Sequence, residues 1–148
     1  MINHPQKLKI ALLAISLFGV LHFLAGCKSD DGPSPEQVRL QELTGTWILG
    51  TVTNDGNDVT DQFSGFRLTF EESSFSSENG GNAWPTAGSY TLVLVNSTFD
   101  TILRNDNLEV SIDEITADEL VLSFQISGVE GGRKDGVTGQ FIFSLKKQ

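Results

Sequence analysis

From residue 66 onward, apolar and polar residues alternate with a period of two in four separate runs. The apolar members of these runs are Phe66, Leu68 and Phe70; Leu108, Val110 and Ile112; Leu120, Leu122, Phe124 and Ile126; and Phe141, Phe143 and Leu145. Such alternation predicts antiparallel strands with one buried face and one solvated face. Residues 46–53, 74–77, 89–95 and 98–104 form further strand-like segments, so the prediction is about eight strands.

The segments between these strands carry turn-forming residues. They lie at residues 55–56, 79–81, 96–97, 105–107, 117–118 and 131–136. Short connections favour a meander, in which strands that follow one another in sequence also pair in space. An open meander would leave two unpaired edges, and closing it into a barrel removes both. The sequence therefore predicts an all-β fold, an eight-stranded antiparallel up-and-down barrel.

A short helix is predicted just before the first strand. Ser34 is a good N-cap residue, Pro35 suits the first helical position, and Glu36 favours the positive end of the helix dipole. Val38, Leu40 and Leu43 then recur at near-helical spacing, and Thr44-Gly45 ends the helix.

An apolar segment stands near the start of the chain. Residues 10–24 are almost wholly apolar and follow Lys7 and Lys9. A basic start, an apolar middle and a small-residue exit are typical of a secretory signal, and the run is shorter than the ~20 residues that span a bilayer. Leu24-Ala25-Gly26-Cys27 resembles the lipobox of bacterial lipoproteins.

The lipobox resemblance implies a lipid-anchored envelope protein. Residues 1–26 would be a lipoprotein signal peptide, and the acylated Cys27 would hold the mature chain at the outer membrane, on a face that the sequence leaves open. Residues 27–36, with two aspartates and two prolines, have the composition of a flexible tether. The barrel domain is then predicted to cover residues 37–148.

Charge and composition exclude several functions. The chain has a formal net charge of −9, and Lys7, Lys9 and both histidines, His4 and His22, precede Cys27. A body this acidic is repelled by phosphate backbones, so no nucleic-acid partner is expected. Without histidine, the mature chain lacks an imidazole base and a histidine ligand for zinc. We therefore predict no enzyme activity, no catalytic residue, no cofactor and no metal.

Gly45-Thr46-Trp47, directly after the predicted helix, is similar to the Gly-X-Trp signature of lipocalins. The wider pattern resembles small lipocalin-like domains of bacterial lipoproteins in residues 58–63, 66–70 and 139–145. The resemblance covers residues 40–148 and implies that Trp47 plugs the closed end of the barrel. The chain also departs from the family, because the last strand has no arginine to stack on Trp47 and the long mouth loops are missing.

Two aromatic residues are the candidate ligand contacts. Trp84 stands in a Gly/Asn-rich loop predicted at the barrel mouth, and Tyr90 is the single tyrosine of the chain. A tryptophan in this position suits contact with a sugar, a lipid or a partner protein. The alternative is that the Trp84 loop is a lid that caps the barrel core.

Acidic residues supply two further candidates, each with a simpler explanation. Residues 54–58 with Asp61 are rich in the oxygen ligands that calcium prefers, but they fail the EF-hand spacing and suit a hairpin turn. Asp113-Glu114 is a carboxylate pair of the kind that glycosidases use. Adjacent strand residues point to opposite faces, so we expect this pair to be split between inside and outside.

Two functions remain open. The first is non-catalytic capture of a small apolar or amphipathic ligand in the barrel mouth. The second is a structural or interaction module, such as an accessory subunit of a surface complex, whose barrel is filled by its own side chains. A cavity of ~300 Å³ or more would support the first. An interior filled by aromatic residues would support the second, and the residues in question are Phe66, Phe70, Phe124, Phe141 and Phe143.

Overall fold

The computed structural model describes residues 32–128 and 138–148. The predicted signal peptide, residues 27–31 of the predicted tether (with Cys27) and the turn at 131–136 lie outside these ranges. The described helices and strands are α1 (Pro35–Leu43), β1 (Gly45–Asn54), β2 (Asn57–Asp58), a 3-10 helix (Thr60–Phe63), β3 (Arg67–Phe70), β4 (Ser74–Glu78), β5 (Ala87–Val95), β6 (Thr98–Arg104), β7 (Glu109–Ile115), β8 (Glu119–Ile126) and β9 (Gly139–Lys147).

Eight of these strands form a closed antiparallel barrel. From β3 to β9 each strand pairs with the next in sequence, β3 pairs with β1, and β9 returns to β1. The closing pair runs from Trp47 opposite Lys147 to Asn54 opposite Phe141. The two-residue strand β2 pairs with the last residues of β1. The predicted barrel, its strand order and the preceding short helix are all confirmed.

The barrel has two different ends. The end at which β1 begins carries α1 and the connections at residues 71–73, 96–97 and 116–118, and we call it the helix end. The opposite end carries the β1–β2 turn, the loop at 79–86 and the β6–β7 connection at 105–108. Strands of alternate direction connect these two ends.

Helix α1 begins with the predicted cap. The Ser34 hydroxyl accepts a hydrogen bond from the Gln37 backbone N–H at 3.2 Å, and the Gln37 side chain accepts one from the Ser34 N–H at 2.8 Å. Arg39 joins α1 to the barrel through an ion pair with Asp100 on β6, at 2.6 Å. Leu43 is buried as expected, whereas Val38 is 39% exposed. Within the described ranges, no helix is both long and apolar enough to cross a membrane.

The barrel interior is packed with aromatic rings. The five phenylalanines that the sequence places inside, Phe66, Phe70, Phe124, Phe141 and Phe143, are at most 4% exposed. The Phe124 ring stacks on two neighbours at 5.6 Å, those of Phe141 and Phe143. Phe63, on the 3-10 helix, meets the Phe143 ring edge to face at 5.0 Å. This is the side-chain filling that small barrels commonly show.

Candidate functional site

The Gly-X-Trp segment lies at the helix end of the barrel. Trp47 is fully buried, and its indole Nε1–H donates a hydrogen bond to the Leu43 carbonyl at 2.8 Å. The Lys147 ammonium lies 4.1 Å from the centre of the Trp47 ring and donates to the Thr44 carbonyl at 2.6 Å. A cation over an indole face is attracted by the ring quadrupole. The segment thus joins the end of α1, the start of β1 and the end of β9.

Gly45 is required by this arrangement for two reasons. Its φ is +128°, which is a left-handed conformation that residues with a Cβ rarely adopt. A Cβ at this position would also lie 2.8 Å from the Lys147 Nζ. The last strand carries no arginine at this place, and the cation over the Trp47 ring is that of Lys147. Burial lowers the pKa of Lys147.

Trp84 lies inside the barrel rather than at an open mouth. It is 1% exposed. Its ring makes edge-to-face contacts with Phe75 at 5.7 Å and Phe124 at 5.6 Å, and it also meets Phe70 and Phe143, each at 6.4 Å. The loop is therefore a cap on the barrel, and its Trp84 side chain is part of the aromatic core.

The course of this loop explains how Trp84, which follows a glycine- and asparagine-rich segment at residues 79–82, becomes buried. A Cβ on Gly80 would lie 2.3 Å from the Trp84 carbonyl oxygen, so the chain can fold back here because glycine has none. The Trp84 N–H donates to the Gly80 carbonyl at 3.0 Å, and the Ser77 hydroxyl donates to the Pro85 carbonyl at 2.7 Å. These bonds hold the loop over the opposite end of the barrel.

Arg104, which the sequence analysis did not single out, is a central residue of this cap. It is 4% exposed, and its guanidinium carbon lies 4.9 Å from the Trp84 ring centre. It donates to the Ala83 carbonyl at 3.1 Å and forms a two-point ion pair with Asp106. The signal was present in the sequence, because Arg104 follows the buried Ile102 by two residues on β6 and so shares its inward face.

Tyr90 belongs to the same interior. It is 3% exposed, its ring meets Phe70 edge to face at 5.3 Å, and its hydroxyl donates to the Glu71 carbonyl at 2.6 Å. Burial, with a smaller contribution from the Glu72 carboxylate, raises the pKa of Tyr90 to about 12. The structure thus brings the two candidate ligand contacts together around Phe70, and both are used in packing.

Several depressions lie on the described surface, and two of them bear on the function. One, of about 600 Å³, is lined mainly by amide and hydroxyl side chains, which include those of Asn107, Ser111 and Gln125. It forms where β7 and β8 diverge, beyond their last pair at Ser111 and Ser123. The second, of about 370 Å³, separates α1 from the β5–β6 hairpin.

The oxygen-rich residues near the β1–β2 turn accept hydrogen bonds from backbone N–H groups. The Asp55 carboxylate accepts from the Gln140 N–H and the Asp58 carboxylate accepts from the Thr60 N–H, both at 2.9 Å. Hydrogen bonds from the Thr60 hydroxyl and N–H lower the pKa of Asp58. Nowhere in the described ranges do three histidine, cysteine or acidic side chains come together in a group that could hold a metal ion.

The Asp113-Glu114 pair differs from its expected geometry. The β7–β8 register shifts between Ile112 and Glu114, which makes Asp113 the extra residue of a β-bulge. Both carboxylates are exposed as a result, whereas strict alternation would have placed one of them inside. Both are solvated charges on the barrel surface.

Comparison of this chain with known proteins gave no match to a protein-family model, to a curated protein or to a solved structure.

Proposed function

We propose that this chain is a lipid-anchored, lipocalin-like protein of the bacterial outer membrane that acts through the outer surface of a filled barrel, without catalysis. It is then a structural or interaction module, and its partners contact its exterior. The observation that carries the proposal is the packed aromatic interior.

The packing bears directly on the competing ligand-carrier hypothesis. A carrier needs an apolar cavity of ~300 Å³ or more with polar groups at its mouth. Here Trp84 and Tyr90, the residues best suited to touch such a ligand, are in contact with Phe70 and are nearly inaccessible to solvent. The larger of the two depressions described above is lined mostly by polar side chains, although the core residue Phe124 also borders it. Ligand carriage is therefore the second candidate.

The anchor is supported by the sequence. The lipobox-like Leu24-Ala25-Gly26-Cys27 follows an apolar export segment, and Cys27 is the single cysteine of the chain. Two or more acyl chains hold a protein on a membrane stably, because each buried methylene contributes about 0.8 kcal/mol. The acidic composition, with a net charge of −9, agrees with a role outside nucleic-acid chemistry.

Titration with a fluorescent fatty acid tests the filled barrel. The mature chain with Cys27→Ser, which has no acyl chains of its own, is expected to show no saturable rise in probe fluorescence. The matched control is the same chain with Trp84→Ala as well, which opens space among the phenylalanines and should give a measurable rise. Saturable one-to-one binding by the Trp84-containing chain would favour the carrier.

Cell fractionation tests the anchor separately. The wild-type chain, expressed in a bacterium that processes lipoproteins, is expected in the outer-membrane fraction, and the Cys27→Ser chain in the soluble fraction. Membrane attachment that survives the serine substitution would contradict the lipid anchor, and it would leave the filled-barrel proposal intact.

A further inference from the structure

The helix end of the barrel carries exposed apolar side chains on two neighbouring elements. Leu94 and Val95, near the tip of the β5–β6 hairpin, are 60% and 42% exposed, and Val38 on α1 is 39% exposed. The groove between α1 and the hairpin is lined by apolar side chains, which include those of Pro33, Val38 and Phe99, and also by the ion pair of Arg39 and Glu42. Apolar residues scattered singly over a surface are ordinary, whereas a group on adjacent elements marks an interaction surface.

The hairpin is distinguished from its neighbours by charge. Residues 91–99 contain no charged side chain. The two other described connections at the helix end are acidic, with Glu71 and Glu72 between β3 and β4 and Asp118 between β7 and β8. Because the hairpin tip is apolar and uncharged, it is the part of the helix end that suits contact with an apolar environment.

The hairpin tip is also held in a defined shape. Val95 pairs with Thr98, and the two residues between them, Asn96 and Ser97, both have positive φ, as in tight two-residue hairpin turns. The register shift between Val93 and Val95 makes Leu94 the extra residue of a β-bulge. The exposed Leu94 therefore lies at the end of an ordered strand, so its backbone loses little conformational entropy when the hairpin binds a surface.

The length of chain before Pro33 indicates what this surface meets. The six residue steps from Cys27 to Pro33 span at most about 20 Å, because an extended chain advances ~3.3–3.6 Å per residue. Once Cys27 is fixed by its acyl chains, Pro33 must stay within that distance of the lipid surface. The groove at Pro33 and the hairpin beside it can therefore reach the membrane, whereas the opposite end of the barrel lies a barrel length away from them.

We propose that the helix end is a membrane-docking surface, on which the β5–β6 hairpin tip and the exposed residues of α1 rest on the lipid headgroup region. The occupant is the bilayer that holds the anchor. This inference rests on the proposed lipid anchor at Cys27. It orients the barrel, with the capped end around Trp84 directed away from the membrane and available to protein partners.

Site-specific fluorescence on the lipidated full-length chain tests the proposal. Cys27 is the single native cysteine and its thiol is consumed by acylation, so Leu94→Cys creates one labelling site for an environment-sensitive fluorophore. Asn57→Cys, at an exposed position of β2 at the opposite end, is the matched control. Both proteins are reconstituted in phosphatidylcholine vesicles, with and without a headgroup-proximal nitroxide lipid as quencher.

The label at position 94 is expected to shift its emission to the blue and to lose fluorescence when the nitroxide lipid is present, while the label at 57 does neither. Equal quenching at both positions, or no quenching at 94 in protein that floats with the vesicles, would overturn the docking surface and leave the anchor standing. A wild-type chain that fails to float with the vesicles would overturn the anchor and this inference together.

Discussion

Replacing Trp84 by alanine tests whether this residue belongs to the core or to a ligand site. A buried tryptophan removes roughly 150–250 Å² from water, and large-to-small substitutions of buried tryptophan cost about 3–5 kcal/mol in the free energy of unfolding. Trp84 is 1% exposed and meets four phenylalanine rings, so the full cost is expected. A residue that lined an open cup would lose far less.

The assay is urea unfolding of the mature Cys27→Ser chain, followed by far-UV circular dichroism. Trp84→Phe should cost less than half as much as Trp84→Ala. The phenyl ring keeps most of the aromatic contacts, and the substitution removes an indole N–H that is buried without a hydrogen-bond partner among the described residues. Thr86→Ala, at an exposed position of the same loop, is the control and should change the free energy by less than about 0.5 kcal/mol.

A Trp84→Ala protein whose free energy of unfolding lies within about 1 kcal/mol of that of its parent would contradict the buried position of Trp84. Such a protein would mean that the loop does not hold Trp84 in the barrel in solution. The mouth would then be open, and the carrier hypothesis would regain its basis.

Three further predictions concern residues around the core. Folding raises the pKa of Tyr90 from 10.0 to about 12. Its contribution to stability is therefore complete below pH 10 and is lost as the pH rises towards 12. Urea unfolding across this range should show a loss of stability in the parent chain and a smaller loss in Tyr90→Phe. Gly45→Ala should lower the free energy of unfolding by about 1–3 kcal/mol, because a φ of +128° is strained for alanine and because the added Cβ would displace the Lys147 ammonium from the Trp47 ring. An unchanged urea midpoint would contradict this. Arg104→Met should lower the free energy of unfolding by about 2 kcal/mol, because the hydrogen bonds of the guanidinium are lost. Arg104→Lys should not restore the full stability, because the bond to Ala83 and the ion pair with Asp106 need the planar guanidinium.

The strands were predictable because alternation reports burial directly. In β8 and β9 each inward-facing residue is separated from the next by one outward-facing residue. The six inward-facing residues are all buried: Leu120, Leu122, Phe124, Phe141, Phe143 and Leu145. Closure of the barrel followed from the short connections and from the cost of open edges. The cap of α1 at Ser34 was predictable for the same local reason, since it depends on residues three positions apart.

The position of Trp84 was harder to predict because it depends on distant residues. The loop around it is polar and glycine-rich, which favours an exposed site, yet the contacts that bury Trp84 come from Phe124 and Phe143 on other strands and from Arg104. The role of Lys147 was not predicted, because the lipocalin resemblance implies an arginine, not a lysine, over the Trp47 ring. The bulge at Asp113 was missed although it does shift the alternation, since two residues, Asp113 and Glu114, separate Ile112 from Ile115, which packs against the core.

The central claim, that the barrel is filled by its own side chains, is tested most directly by a crystal structure of the Cys27→Ser chain grown with an excess of a brominated fatty acid. The anomalous signal of bromine locates the ligand without interpretation of weak density. We expect no bromine signal inside the barrel and a Trp84 ring in contact with Phe124 and Phe143. A bromine peak between these phenylalanines, with Trp84 displaced outward, would contradict it.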